Sequence, residues 1–467
     1  MRHSLRALRA LRADRIAAVL LLAMSLLLSP ADPSGAAGDE KAGASEKASE
    51  TNKAEAAKAS GKEAGASEAA EEEKAPPPEF DVTYEMLLVA SEKSAHVTIR
   101  LGKGAEEVEW IRLAFDPMRY RAIESDGTLE EVEGGILWKP RKGGGQLRYV
   151  FSIDHLRDEK AYDSRCAKSW AILRGQDLVP RIRIRTTPGA ISKSRMRLRL
   201  PEGWSAALPY PRSRNGTYEI NHERTRFDRP NGWFAFGKLG VVRETIGETK
   251  ISIAGPSGQG VRRMDVLALL RWGMPELSTL FGSLPERLQV VVAGDPMWRG
   301  GLSGPNSVYL HVDRPLISQD SSSPLLHEFM HSLMHARSGP DGQWIVEGIA
   351  EYYSIELLRR SKTLSQDRFD AAMESLAQRA ARSRAKLNGD MDGSARSKAV
   401  LAIVEIDEAI REATNGEQNL DGVVRALERT NAQVTIASLR AAMQEVAGVD
   451  FPALFTKIEA QVDRDKS

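Results

Sequence analysis

Ser323-Pro324-Leu325-Leu326-His327-Glu328-Phe329-Met330-His331-Ser332-Leu333-Met334 carries apolar side chains at 326, 329, 330, 333 and 334. That i, i+3, i+4, i+7, i+8 stripe falls on one face only if the segment is helical. Ser323 suits the N-cap, Pro324 the first helical position and Gly339 the C-terminal stop. His327 and His331, four apart, then leave the same face one turn from each other. Two imidazoles so spaced can share one Zn²⁺, and Glu328 beside them is placed to take a proton from a water the metal activates.

The next amphipathic segment, Trp344-Ile345-Val346-Glu347-Gly348-Ile349-Ala350-Glu351-Tyr352-Tyr353, follows a short loop over 338–343. Glu347 lies in its first turn, where it would face the first helix and complete a His₂Glu site with a fourth position open to water. Glu351 is one turn further on the same face. It is either an exposed helix charge or the carboxylate that engages the second nitrogen of a ligand histidine. His335 is in register with the two histidines but a further turn along, about 6 Å away, and is expected beside the site rather than in it. Arg337 and Met334 stand where a metzincin would need His and Gly, which excludes that class.

Outward from these helices the pattern divides the chain. Residues 256–467 read as an α+β unit. It has a helix over 261–281, strands at 288–292 and 307–312, and almost continuous helical periodicity from Pro324 to Val462. Residues 80–255 favour strands: short alternating or β-branched runs such as 80–84, 96–101, 181–185 and 195–200 are separated by Gly and Pro. The fold class is therefore α+β, with an N-terminal antiparallel β-sandwich-like domain ahead of a catalytic domain with a helical C-terminal part. The alternating Arg residues of 195–200 are expected to form a solvated sheet face.

The N-terminal end differs in kind. Residues 1–36 carry five Arg, an apolar run from Ile16 to Leu28 and small residues around 34–37, the layout of a secretory signal peptide. An uncleaved anchor is the alternative. Residues 37–79 are rich in Ala, Glu, Lys and Ser and have no large apolar residue before Phe80, which describes a disordered tether. The expected location is periplasmic or secreted, with no membrane span beyond the leader. The full chain of 467 residues is 42% apolar and 28% charged with a net charge of +1, which argues against a dedicated nucleic-acid binder. Cys166 is the single cysteine, so any metal must be held by His, Asp and Glu. The oligomeric state is left open.

H-E-x-x-H followed by W-x-x-E-G-x-A-x-Y resembles the gluzincin metallopeptidases. The nearest is the glycyl aminopeptidase family, with aminopeptidase N-like and thermolysin-like relatives behind it. The 298–307 segment resembles that family's Gly-rich turn, and 398–407 with 414–421 resembles its C-terminal helices. The resemblance implies that His327, His331 and Glu347 bind one Zn²⁺ per chain, that Glu328 is the general base, and that the substrate is a peptide or protein. It implies a substrate strand along 307–312, which places Tyr309 among the substrate-contact candidates. Where the family has an amine-gripping Glu this chain has Ser303. Where the family has an oxyanion-stabilising Tyr it has 394–397, with Arg396 as the candidate donor. No Tyr or His follows Tyr353, only 15 residues separate His331 from Glu347, and the family's PDZ module is absent. The alternative function is a zinc-binding homologue with little or no turnover that acts as a binding or structural protein at the envelope.

Overall fold

A computed structural model describes residues 76–462, except 222–224, 388–390, 392 and 431. The expected leader and all but the last four residues of the tether lie outside the described residues. No described helix is long and apolar enough to cross a membrane.

The N-terminal part is built from three sheets. The largest runs, in spatial order, Tyr218–Glu219, Ile191–Arg199, Glu79–Val89, Ser94–Leu101, Gly145–Ser152, Tyr120–Ser125. Its strands alternate buried and exposed residues, as in Glu79–Val89, so one face packs inward. All its pairings are antiparallel except that of Glu79–Val89 with Ile191–Arg199, which is parallel. On that pairing's outer face Arg195 lies 3.2 Å from Asp81 and Arg197 lies 3.9 Å from Glu85. These are half-exposed cross-strand pairs, as expected of a solvated face.

The second part opens on a five-stranded mixed sheet in the order Leu239–Ile246, Thr249–Pro256, Arg287–Ala293, Ser307–His311, Gly301–Gly304. Thr249–Pro256 pairs in parallel with Arg287–Ala293. Residues 239–256 therefore belong with this second sheet, and the break drawn at 255/256 falls at the end of its second strand. The sequence pattern alone cannot show this, because the partner strand lies more than 30 residues away and is joined through the helix Arg263–Phe281. Against this sheet pack Arg263–Phe281 and the site helices Pro324–Met334 and Gln343–Arg360. The C-terminal helices Gly393–Ala413 and Leu420–Thr430 share the same core.

A smaller apolar cluster containing Trp170, Trp233, Val291, Met297 and Tyr309 joins the β-rich part to the second sheet. Polar ties reinforce it. The buried Gln289 side chain donates to the Ala207 and Trp233 carbonyls at 3.1 and 2.8 Å, and Trp233 N–H donates to Ser307 Oγ at 2.8 Å.

Candidate metal centre

The first site helix begins as its sequence dictates. Ser323 caps it, accepting from Leu326 N–H at 3.3 Å, and Pro324 follows. It ends earlier than Gly339: His335 takes the left-handed conformation (φ 49°) and closes it. His335 is thus the helix terminator, off the histidine face. The apolar stripe is buried and turns His327, Glu328 and His331 toward the second site helix and the sheet edge. That second helix is seated closely on Gly393–Ala413, since a Cβ on Gly348 would come within 3.1 Å of the Ala399 backbone.

These placements converge three ligand groups. His327 Nε2 and His331 Nε2 are 3.1 Å apart, and they lie 3.6 and 3.5 Å from the two oxygens of Glu347. The three donor atoms all fall within 4.8 Å of one another, the one such cluster found among the described residues. Two imidazoles and one carboxylate are the donor set of an open tetrahedral zinc site. Glu351 Oε2 lies 2.9 Å from His327 Nδ1, so of the two expectations for Glu351 the structure places it against the histidine. With Nδ1 so engaged, Nε2 is the nitrogen left for a metal.

The charges follow from burial and neighbours. Burial lowers the His327 pKa, but Glu351 first, then Glu328 and Glu347, outweigh it and leave the pKa raised. His331 is driven down to about 3 by burial, with His327 and Arg396 adding to the fall, so its ring is neutral. Burial raises Glu328. Burial also acts to raise Glu351, yet its contact with His327 leaves it lowered.

Glu328 projects onto the sheet edge. Its carboxylate accepts the backbone N–H of Ser303. A Cβ at Gly301 would lie only 2.6 Å from its Cγ, so the strand passes Glu328 where only glycine fits. Ser303 therefore meets Glu328 through its backbone N–H, and its side chain carries no carboxylate.

The register corrects the expected substrate strand. Ser307–His311 pairs in parallel with Arg287–Ala293 on one side and antiparallel with Gly301–Gly304 on the other, so neither edge is free. The open edge is Gly301–Gly304, which reads in sequence as a Gly-rich loop. His311 N–H donates to the Gly300 carbonyl at 3.0 Å. By alternation, 301 and 303 turn their backbone groups to the open side. Tyr309 is likewise corrected: it is fully buried against Trp233, and its hydroxyl donates to the Trp298 carbonyl at 3.0 Å. Trp233, absent from the sequence candidates, donates from Nε1 to the Leu302 carbonyl at 2.9 Å. No local signal marks it, because its partner is 69 residues away. Arg396 reaches the site, with Nη2 3.5 Å from Glu347 Oε2.

No protein-family profile matches the chain, and no curated protein matches it. Solved structures do. An aminopeptidase N family protein from Idiomarina loihiensis superposes with a TM-score of 0.62 at 13% identity, over 81% of this chain and 75% of that one. An M1 zinc metallopeptidase from Deinococcus radiodurans, solved as a Glu-to-Ala mutant, gives 0.54 at 16% identity, over 84% and 95%. At these identities the likeness is one of fold. The chain has an aminopeptidase N-like fold, as the gluzincin resemblance implied.

Proposed function

We propose that the chain is an exported, zinc-dependent metallopeptidase that hydrolyses peptide bonds at the His327–His331–Glu347 centre. The observation that carries this reading is the convergence of those donors with Glu328, itself held against an open strand edge. Zinc bound there would supply a Lewis acid that acidifies a water and polarises a peptide carbonyl. Glu328 accepts the water's proton, and burial holds its pKa toward the range that suits a base at neutral pH. Its orientation is set by the Ser303 N–H. A substrate strand adds along Gly301–Gly304, using the outward backbone groups of 301 and the Ser303 carbonyl. Glu351 holds His327 in the tautomer that leaves Nε2 free. The basic, apolar and small-residue order of 1–36 supports export.

Wild type and Glu328→Gln are incubated with a peptide library and the products read by mass spectrometry, with elemental analysis alongside. About one zinc per chain and cleavage by wild type alone are expected. Single-residue losses would mark an aminopeptidase, and internal cuts an endopeptidase. Ser303 favours the second reading, a zinc-binding envelope protein without turnover. Zinc with an identical null result for both proteins would establish that reading instead.

A further inference from the structure

We propose that Arg396 is a catalytic residue whose guanidinium donates to the carbonyl oxygen of the scissile bond as that oxygen becomes anionic. The inference rests on the peptidase reading above. Addition of water to a peptide carbonyl forms a carbon–oxygen bond, sends the water's proton to Glu328 and moves the carbonyl π pair onto its oxygen. Collapse restores the carbonyl, breaks the carbon–nitrogen bond and returns that proton to the leaving nitrogen. Charge on the oxygen between these steps calls for a preorganised donor.

The other donors at the site are committed. His327 has Nδ1 against Glu351 and Nε2 turned to the metal position, and the Ser303 N–H serves Glu328. Tyr353 donates to Asp421 at 2.5 Å and Tyr309 to Trp298. Arg396 is different. It stands in the first turn of Gly393–Ala413, the helix on which the Glu347 helix is seated. Its Nη2 lies 3.5 Å from Glu347 Oε2 and 3.5 Å from the Met391 carbonyl. Its Nε is buried and meets no acceptor among the described residues. A buried N–H left unmatched costs stability unless something arrives to accept it. Its charge also bears on Glu328, His331 and Glu351, in keeping with its contact with Glu347. A guanidinium keeps its charge at every working pH and offers a planar fork of donors to an oxyanion.

The test compares zinc-loaded wild type with Arg396→Ala and Arg396→Lys. The expected result for Arg396→Ala is a kcat lower by about a hundredfold or more with KM little changed. One zinc per chain is retained, and affinity for a phosphinic peptide, whose tetrahedral oxygens imitate the oxyanion, falls by a similar factor. Arg396→Lys, which keeps the charge but not the fork, falls between. A rise in KM alone would make Arg396 a ground-state grip and overturn the inference. Loss of zinc from both variants would reduce it to support for Glu347 and overturn it too. Equal phosphinic-peptide affinity in wild type and Arg396→Ala sinks it whether or not turnover is seen. A wild type no more active than Glu328→Gln strikes the peptidase reading itself.

Discussion

Glu351 decides which nitrogen of His327 is free, and it also decides that ring's charge before metal arrives. The His327 pKa is raised above its ordinary 6.5. In the metal-free protein its proton therefore adds stability that is fully present below pH 6.5 and is lost as pH rises through the raised value. His331, at about 3, is already neutral in that window and has no proton to lose. Zinc binding must displace the His327 proton. Below the raised pKa, affinity should therefore fall about tenfold per pH unit. Titration calorimetry near pH 6.5, in buffers of different ionisation heat, should count more than half a proton released from His327; a count of none would contradict the assignment. Glu351→Gln removes the carboxylate that holds this proton and this tautomer. It should lower zinc affinity by about 10–100-fold and shrink the proton count. An affinity unchanged by Glu351→Gln would leave that carboxylate without a role at the centre.

The first site helix and the edge strand meet at one contact, Glu328 against Gly301. Gly301→Ala would place a methyl 2.6 Å from Glu328 Cγ and 2.9 Å from Oε1, forcing base and strand apart. The three ligands are on other surfaces, so zinc content should hold while kcat drops. Retained turnover with retained zinc would show that the base does not need its place on the strand. The helix was legible from its own residues, because capping by Ser323, the apolar stripe and the four-residue histidine spacing are all local. Glu347 and Glu351 were placed by the same helical period. The strand was not legible. Four residues, three of them Gly or Ser, carry no alternating pattern, and their identity as the free edge depends on pairing with Ser307–His311. That same pairing withdrew the outer edge of 307–311 from the substrate and turned Tyr309 into the core.

Across the whole molecule, the α+β class and the β-rich first half followed from periodicity, whereas the way the halves support each other did not. The parallel pairing of Glu79–Val89 with Ile191–Arg199 and the transfer of 239–256 to the second sheet both depend on partners distant in sequence. So does the role of the β-rich part at the centre, which the structure concentrates in Trp233. Its ring packs at 5.1 Å on Tyr309, its N–H holds Ser307, and its indole Nε1 donates to the Leu302 carbonyl between the two outward-facing residues of the edge strand. A free strand of four residues has little to fix it, and each backbone bond from outside counts toward its position. Trp233→Phe keeps an aromatic ring at the site but deletes the Nε1 donor, about 1 kcal/mol for one neutral hydrogen bond, and adds the cost of the space left by the smaller ring. Thermal stability should fall, and zinc content not at all. The edge strand proposed to receive the substrate would be looser, so KM for peptide should rise more than kcat falls. Unchanged kinetics with an intact fold would mean that the β-rich part carries the edge strand without shaping it.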